Sequence, residues 1–143
     1  METWIERETI YKGRIVTLES GRVRLANGVE APREVLRHPG AVAVAPLVGD
    51  EIVFVEQYRV AIEQSTLEIP AGKLEGDEDP VARGLTELRE ETGLIAKELI
   101  PAGVIYPSCG ILDEKMYIYL ALDMTQGAQD LDGDEDVKVV RLS

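Results

Sequence analysis

The sequence contains little cysteine, few aromatic residues and no long apolar run. Among its 143 residues there are one Cys, one His, one Trp and one Phe. The single cysteine, Cys109, cannot form an intramolecular disulfide, and the charged N-terminal residues contain no apolar secretion signal, so we expect a cytoplasmic protein. The longest nearly apolar run, residues 41–48, is much shorter than the roughly 20 residues that span a bilayer, so we expect no membrane partner.

Basic residues are also scarce, with 15 Lys and Arg against 27 Asp and Glu, which gives a formal net charge of -12. A negative surface repels a phosphate backbone, so nucleic acid is excluded as the main partner. Cations, or substrates that bind together with cations, fit this charge better. Because 45% of the residues are apolar, the chain can bury a core without disulfides, and we expect a single domain over residues 1–143.

Alternation of apolar and polar residues predicts strands over residues 2–58. The Gly, Asn and Asp residues of the segments SGR, ANG and VGDE predict the turns between them. The two most apolar runs, AVAVAPLV and EIVFVEQ, are expected at the centre of the sheet with both faces covered. Further extended segments are TLEIPAG, KELIPAGVIY, KMYIYLALDM and VKVVRLS. The sequence therefore predicts a twisted antiparallel or mixed sheet.

One helix is predicted among these strands, from about Asp79 to Thr92. Pro80 suits the first helical turn, and Gly93 ends the helix. Apolar residues recur along it four and three residues apart, at Val81, Leu85 and Leu88. They form one stripe that packs on the sheet. Gly84 costs this helix about 1 kcal/mol relative to Ala, which indicates a close packing contact.

A group of glutamates lies in the second half of this helix. Glu87 and Glu91 are four residues apart and share a helix face, with Glu90 one step round from them. Like charges at this spacing destabilise a helix, and a divalent cation between them reverses the sign of that interaction. The alternative is a solvated acidic face with Arg83 and Arg89 as neighbouring cations.

Residues 72–94 read GKLEGDEDPVARGLTELREETGL, and they contain these glutamates at a specific spacing. Five residues separate Gly72 from Glu78, and seven more separate Glu78 from TELREETGL. The segment resembles the Nudix box, which is Gly, five residues, Glu, seven residues, Arg, Glu, apolar, any residue, Glu, Glu, any residue, Gly, apolar. Eight specified positions match over 23 residues, and the one that departs is the Arg, which is Thr86 here.

This resemblance implies an α/β fold of the Nudix type, an α/β/α sandwich with a mixed β-sheet and one main metal-binding helix. It implies that Glu87 and Glu91 are the principal ligands of Mg²⁺, with Mn²⁺ as a substitute, on an exposed helix face. The other residues that it implies for the metal site are the Ala71 carbonyl, Glu78 and Glu90. The implied reaction is hydrolysis of a nucleoside diphosphate linked to another group, because bound metals neutralise the leaving phosphate and lower the pKa of the attacking water.

The segments EQYR, LEIPAGKLEGDEDP and YPSCG with the following DEK are similar to the bacterial ADP-ribose pyrophosphatase branch of the family. The branch implies cleavage of ADP-ribose to AMP and ribose 5-phosphate. It implies that Glu114 contacts the terminal ribose and that Arg59 and Arg33 hold the diphosphate or the adenosine side. Pairing with a local Glu is the alternative for each Arg. The branch also implies a homodimer in which the strands of residues 1–40 are exchanged and form the adenine pocket.

The acidic loop QGAQDLDGDED departs from this branch at one position. Glu135 matches a carboxylate that helps to hold a metal and contributes to catalysis. The position of the general base falls on Gly133. Asp132, Asp134 or a metal-bound hydroxide is then left to activate water, and a solvated loop is the alternative for the two aspartates.

Two further departures concern the helix and the end of the sequence. Thr86 removes an Arg that would orient the glutamates by a charge-assisted hydrogen bond. The sequence ends at Ser143, where the branch usually continues into a C-terminal helix, so we expect a shortened version or a sheet face covered otherwise. Two other functions stay open: hydrolysis of another nucleoside diphosphate sugar, and nucleotide binding with weakened catalysis. His38 and Cys109 are interpreted as structural or incidental.

Overall fold

The chain folds into two units. The computed structural model describes residues 1–131, 133 and 136–143. The first unit comprises Met1–Gly40 and Tyr106–Lys115, and the second comprises Ala41–Ile105 and Met116–Ser143.

The first unit contains a three-stranded antiparallel sheet in the order β1-β2-β3. Its strands are β1 (Glu2–Lys12), β2 (Thr17–Leu25) and β3 (Glu30–Arg37). The predicted turn at ANG is confirmed, since Gly28 has a φ of 85° between β2 and β3. The predicted turn at SGR is wrong, because Gly21 lies inside β2 opposite Arg7. A Cβ on Gly21 would overlap the Glu6 carbonyl, so this glycine permits close approach of two strands.

The segment Tyr106–Lys115 returns to β3 in this unit. The Leu36 N–H donates to the Ile111 carbonyl at 2.7 Å, and the Asp113 N–H donates to the Leu36 carbonyl at 3.1 Å. The Asp113 carboxylate accepts from the His38 N–H at 2.8 Å. These hydrogen bonds place residues 111–113 beside the end of β3.

The second unit is built on a seven-stranded mixed sheet. Its strands and those of a separate two-stranded pair are β4 (Ala41–Val48), β5 (Glu51–Arg59), β6 (Gln64–Glu68), β7 (Ala71–Lys73), β8 (Leu94–Ile95), β9 (Ile100–Ile105), β10 (Met116–Ala121), β11 (Thr125–Gln126) and β12 (Val137–Leu142). The main order is β12-β5-β4-β10-β9, β6 pairs with β5, β7 pairs with β4, and β8 pairs with β11. Strands β4 and β10 are parallel, whereas the other pairs are antiparallel.

The helix α1 (Pro80–Thr92) has the limits that the sequence predicts. Asp79 caps its N-terminus by accepting from the N–H groups of Val81 and Ala82, both at 3.3 Å. Gly93 ends it with a φ of 73°, and its N–H donates to the Arg89 carbonyl at 2.8 Å. Within the described part of the chain, no helix is long and apolar enough to cross a membrane.

The core of the second unit lies between α1 and β4. Leu88, Val42 and Val44 are fully buried, and Val81 and Leu85 pack against this cluster, which confirms the predicted apolar stripe. Its buried members are Val42, Val44, Val53, Leu74, Leu88, Leu94, Leu99, Tyr119 and Ala121. The predicted α/β class, with a mixed sheet and one main helix, is confirmed.

Two packing details refine these expectations. A Cβ on Gly84 would lie 2.9 Å from Leu99 Cδ1 and 3.1 Å from Val42 Cγ2, so the glycine lets α1 approach the sheet closely. Strand β4 is almost wholly buried, as predicted, but β5 buries Val53 and leaves Glu56 exposed. The expectation of two covered faces therefore holds for β4 and is wrong for β5.

Candidate active site

Two glutamates of α1 are buried in the second unit. Glu87 and Glu91 are 4% and 3% exposed, one helical turn apart. The interpretation of these two as a solvated acidic face is therefore wrong, and so is the expectation that they lie on an exposed face. Glu90 and Glu78 are half-buried. Burying a carboxylate costs free energy unless hydrogen bonds or cations compensate, so this burial requires specific partners.

Strand β7 supplies the first of these partners. The Ala71 N–H donates to Glu91 Oε2 at 3.1 Å. The neighbouring Gly72 lies directly against Glu87, and a Cβ there would overlap the Glu87 carboxylate. The first residue of the Nudix-like spacing is thus a glycine because the buried Glu87 carboxylate occupies the space of its side chain. The structure places Ala71 beside Glu91 and Gly72 beside Glu87, and the role of the Ala71 carbonyl as a metal ligand stays a prediction.

Arg83 is the cation at this site, and the sequence analysis did not assign it a function. Its guanidinium forms an ion pair with Glu87, one turn later on α1. Burial lowers the pKa of Arg83, but the charges of Glu87, Glu78 and Glu90 outweigh burial, so its pKa lies above the usual value. Its Nε is buried and has no hydrogen-bond partner among the described residues. The four-residue spacing from Glu87 was the signal in the sequence.

The other predicted metal-site residues take different positions. Glu78 Oε2 accepts from the Glu75 N–H at 3.2 Å and closes the loop before α1. Within the described residues, no three acidic, His or Cys side chains form a group that could hold a metal ion. Glu135 lies outside the described residues, as do Asp132 and Asp134.

The donor set nevertheless fits a hard divalent cation. Glu87 and Glu91 present carboxylate oxygens, the ligands that Mg²⁺ and Mn²⁺ prefer. Gly72 leaves space for the Glu87 carboxylate beside β7, and the Ala71 N–H holds the Glu91 carboxylate at the same strand. A cation bound between the two buried carboxylates would offset the cost of burying them.

The acidic loop approaches the end of α1 through its described residues. Gln129 Nε2 donates to the Glu91 carbonyl at 2.6 Å, and the Asp130 N–H donates to the Glu90 carbonyl at 2.9 Å. The Gly127 N–H donates to the Gly93 carbonyl at 2.7 Å. These bonds satisfy helix C-terminal carbonyls and hold the loop beside the glutamates. Sequence reasoning missed Gln129, because nothing local indicates a partner 38 residues away.

Arg59 lies at the end of β5 and pairs with Glu68 of β6. Its Nε and Nη2 donate to the two Glu68 oxygens at 2.8 and 2.7 Å. The hydrogen bonds from Arg59 lower the pKa of Glu68, burial opposes them, and the Thr66 hydroxyl adds to the lowering. The alternative of a local Glu partner is therefore confirmed for Arg59, although its side chain remains 45% exposed.

Arg33 and Glu114 belong to the first unit. Arg33 donates to the two oxygens of Glu2 at 2.9 and 2.5 Å, so it also has a local Glu partner. Glu114 Oε1 lies 3.7 Å from His38 Nδ1. The same Nδ1 accepts from the Gly40 N–H at 3.1 Å.

Comparisons with known proteins agree with this geometry. The family described as NUDIX domain matches residues 36–143. The chain is 43% identical to the methanol dehydrogenase activator of Bacillus methanolicus and 40% identical to the ADP-ribose pyrophosphatase of Bacillus subtilis, covering 99% of this chain and 78% of each relative. A solved structure described as an ADP compounds hydrolase matches with a TM-score of 0.84 and 26% identity, over 98% of this chain and 77% of the other. The chain therefore belongs to the Nudix family, as a Nudix hydrolase that resembles the bacterial ADP-ribose pyrophosphatases.

Proposed function

We propose that this hydrolase cleaves the diphosphate of ADP-ribose to AMP and ribose 5-phosphate with Mg²⁺, for which Mn²⁺ can substitute. The observation that carries the proposal is the buried pair of Glu87 and Glu91 against the backbone of β7. The name of the Bacillus subtilis relative supports the choice of substrate. Such a pair costs stability without a cation, so its presence favours a protein that binds one.

In the proposed mechanism, Glu87 and Glu91 hold the divalent cation together with the Ala71 carbonyl. Glu78, Glu90 and Glu135 complete its surroundings. The bound ion supplies charge neutralisation at the diphosphate and a lower pKa for the attacking water. The Ala71 N–H and Arg83 keep the two buried carboxylates in place, while Gln129 and its loop hold the end of α1.

Recognition of the substrate is proposed for three further residues. Arg59 is half-exposed and presents a guanidinium that can grip phosphate oxygens by two parallel hydrogen bonds. Its pairing with Glu68 pre-orients the side chain, and both partners are exposed enough that sharing Arg59 with a phosphate costs little. Arg33 is proposed for the diphosphate or adenosine side, and Glu114 for the terminal ribose.

We propose a homodimer in which residues 1–40 form the adenine pocket. Trp4, Ile5 and Met1 border a cavity of about 450 Å³ in the first unit, and Ile5 and Met1 are exposed. An aromatic side chain beside such a cavity can stack on a base. Light scattering coupled to gel filtration measures the mass directly, and a monomer at micromolar concentration contradicts this part. The cytoplasmic location stays a prediction.

The test is hydrolysis of ADP-ribose, with ADP-glucose, UDP-glucose and NADH in parallel, with and without Mg²⁺. Products are separated by chromatography, and the reaction in ¹⁸O-water shows which phosphorus receives the oxygen. We expect Mg²⁺-dependent release of AMP from ADP-ribose, with Glu98→Gln as an exposed control variant in the same unit. If the protein prefers another sugar nucleotide, the proposed reaction stands and the proposed substrate is wrong.

A nucleotide-binding protein with weakened catalysis is the second candidate. Thr86 stands where the Nudix box has an Arg, and Gly133 is exposed with no side chain to act as a base. Binding of ADP-ribose in a calorimeter without AMP release under Mg²⁺ or Mn²⁺ would favour this candidate.

A further inference from the structure

Helix α1 has no Arg at the position where the Nudix box has one, but an Arg lies one turn before Glu87. Thr86, directly before Glu87, stands where the Nudix box has an Arg. Arg83 lies three residues earlier, and its guanidinium forms an ion pair with Glu87. Since residues four apart lie on neighbouring turns of the same helix face, Arg83 reaches Glu87 along the helix surface.

The two buried carboxylates have different partners. Glu91 accepts the Ala71 N–H at 3.1 Å, so the backbone of β7 contributes to its position. Glu87 faces Gly72, which offers it space, and its ion pair is with Arg83. The side chain of Glu87 is 5% exposed and that of Arg83 is 26% exposed. The guanidinium contacts Glu87 Oε1, the same oxygen that lies against Gly72.

The surroundings of Arg83 belong to the same acidic group. The charges of Glu87, Glu78 and Glu90 all act on its guanidinium. Its Nε is buried without a hydrogen-bond partner among the described residues. A long side chain held among carboxylates has lost rotamer freedom, so its position is determined by that group. This arrangement differs from the solvated pairs of a helix surface.

We propose that Arg83 is a positioning residue, whose guanidinium holds the Glu87 carboxylate against Gly72 and replaces, from one helical turn earlier, the cation that Thr86 lacks. The inference rests on the proposed function, because Glu87 is a metal ligand there. For the loss of Arg83, the proposal predicts a change in Mn²⁺ affinity opposite in sign to the one that charge alone predicts. Removing a cation beside carboxylates would by charge alone strengthen Mn²⁺ binding, whereas losing the orientation of Glu87 weakens it.

The test is Mn²⁺ binding by the full chain without substrate, followed by electron paramagnetic resonance. The variants are Arg83→Ala, Arg83→Lys, Thr86→Arg and the double variant Arg83→Ala with Thr86→Arg. We expect Arg83→Ala to weaken Mn²⁺ binding about tenfold, in the range found for residues that orient metal ligands. We expect Arg83→Lys to lose less and the double variant to recover most of the affinity. Thr86→Arg alone should change the affinity by less than about twofold, because Arg83 already orients Glu87.

Arg89→Ala is the matched control, because Arg89 is an exposed cation on the same helix. It should leave Mn²⁺ affinity within about twofold, since an exposed charge is screened by solvent. Unchanged or tighter Mn²⁺ binding by Arg83→Ala overturns the proposal, even if the variant is less stable. The proposal is also overturned if the double variant does not recover Mn²⁺ affinity relative to Arg83→Ala. If Arg83→Ala does not fold, the Mn²⁺ affinities of Arg83→Lys and of the double variant test the proposal by the same criteria.

The substrate and the role of Arg83 can fail separately. If the Mn²⁺ affinities follow the expected pattern but ADP-ribose is not hydrolysed, the substrate is wrong and Arg83 keeps its role. If ADP-ribose is hydrolysed but Arg83→Ala binds Mn²⁺ normally, only the role of Arg83 is wrong. A wild-type protein that binds no Mn²⁺ contradicts both.

Discussion

The two units differ in how deeply they bury acidic side chains. In the first unit, exposed ion pairs cross the sheet, for example from Arg22 to Glu6 at 2.7 Å and from Arg22 to Glu30 at 3.1 Å. In the second unit, Glu87 and Glu91 of α1 are buried, and they face the backbone of β7. Exposed pairs add little to stability, whereas buried carboxylates are costly to maintain. The comparison teaches that burial of charge, more than its amount, distinguishes the unit that contains the candidate metal site.

Apolar burial follows the same division. The structure describes every residue of the first unit, and there Val23, at 3% exposure, is the one buried apolar side chain. Ile10 and Tyr11 of β1 are more than half exposed. The second unit contains the buried cluster around Leu88. We therefore expect the stability of the chain to depend mainly on the second unit.

The largest expected effect on stability tests this division directly. Leu88→Ala should lower the free energy of unfolding by about 3 kcal/mol, because it leaves a cavity in a fully buried place. Ile10→Ala, in an exposed position of β1, should change it by less than about 0.5 kcal/mol. Urea unfolding followed by circular dichroism measures both. Similar losses for the two variants would contradict the division.

A second variant separates function from stability at the buried pair. Glu91→Gln should reduce turnover of the proposed diphosphate substrate more than about a hundredfold, since it removes a charge from the proposed metal site. Its free energy of unfolding without metal should not fall, because a neutral amide costs less to bury and can still accept the Ala71 N–H. Glu98→Gln, an exposed neighbour in the sequence, should leave both quantities unchanged. Full turnover by Glu91→Gln would disprove the metal assignment.

The pair of Arg59 and Glu68 should make a smaller contribution that depends on pH. Its hydrogen bonds hold the pKa of Glu68 below the ordinary 4.5. A carboxyl with a lowered pKa in the folded state stabilises above its unfolded pKa and loses this effect as the pH falls through the folded pKa. Glu68→Gln should therefore remove part of the stability above pH 4.5 and match the wild type in more acidic solution. Exposed Glu56→Gln is the control, and equal pH profiles for all three proteins would contradict the prediction.

The smallest effect is expected at Arg33 of the first unit. Its ion pair with Glu2 is exposed, so Arg33→Ala should change the melting temperature only slightly. Screening should remove even this difference at about 0.5 M NaCl. Melting curves at low and high salt measure the effect. A large difference that persists in high salt would show that charge in the first unit matters more than its exposure indicates.

Local signals in the sequence predicted much of the fold. Asp79, Pro80 and Gly93 determine the limits of α1, because capping and left-handed backbone are properties of the residues themselves. The apolar run of β4 predicted a buried central strand. The turn at Gly21 was wrong, since a glycine also suits a strand where another backbone approaches closely.

The candidate site was predicted in part. The spacing of the box indicated Gly72, Glu87 and Glu91, and the structure brings them together. It did not indicate Arg83, because a four-residue spacing on a helix makes contact possible without showing which side chain is buried. It also did not indicate Gln129, which reaches the Glu91 carbonyl only through the path of the acidic loop.

The sequence by itself determined the helix, the shared face of Glu87 and Glu91, and membership of the Nudix family. The helix and the shared face follow from local propensities and from the helical repeat of 3.6 residues, which act over a few neighbouring positions. Membership of the family follows from the match to the Nudix box and to the family's model. Only the tertiary structure decided that the two glutamates are buried, that Gly72 makes room for one of them and that Arg83 is its partner. Burial depends on which distant segments pack against a helix face, and no short stretch of sequence contains that information. It is therefore visible only in the tertiary structure.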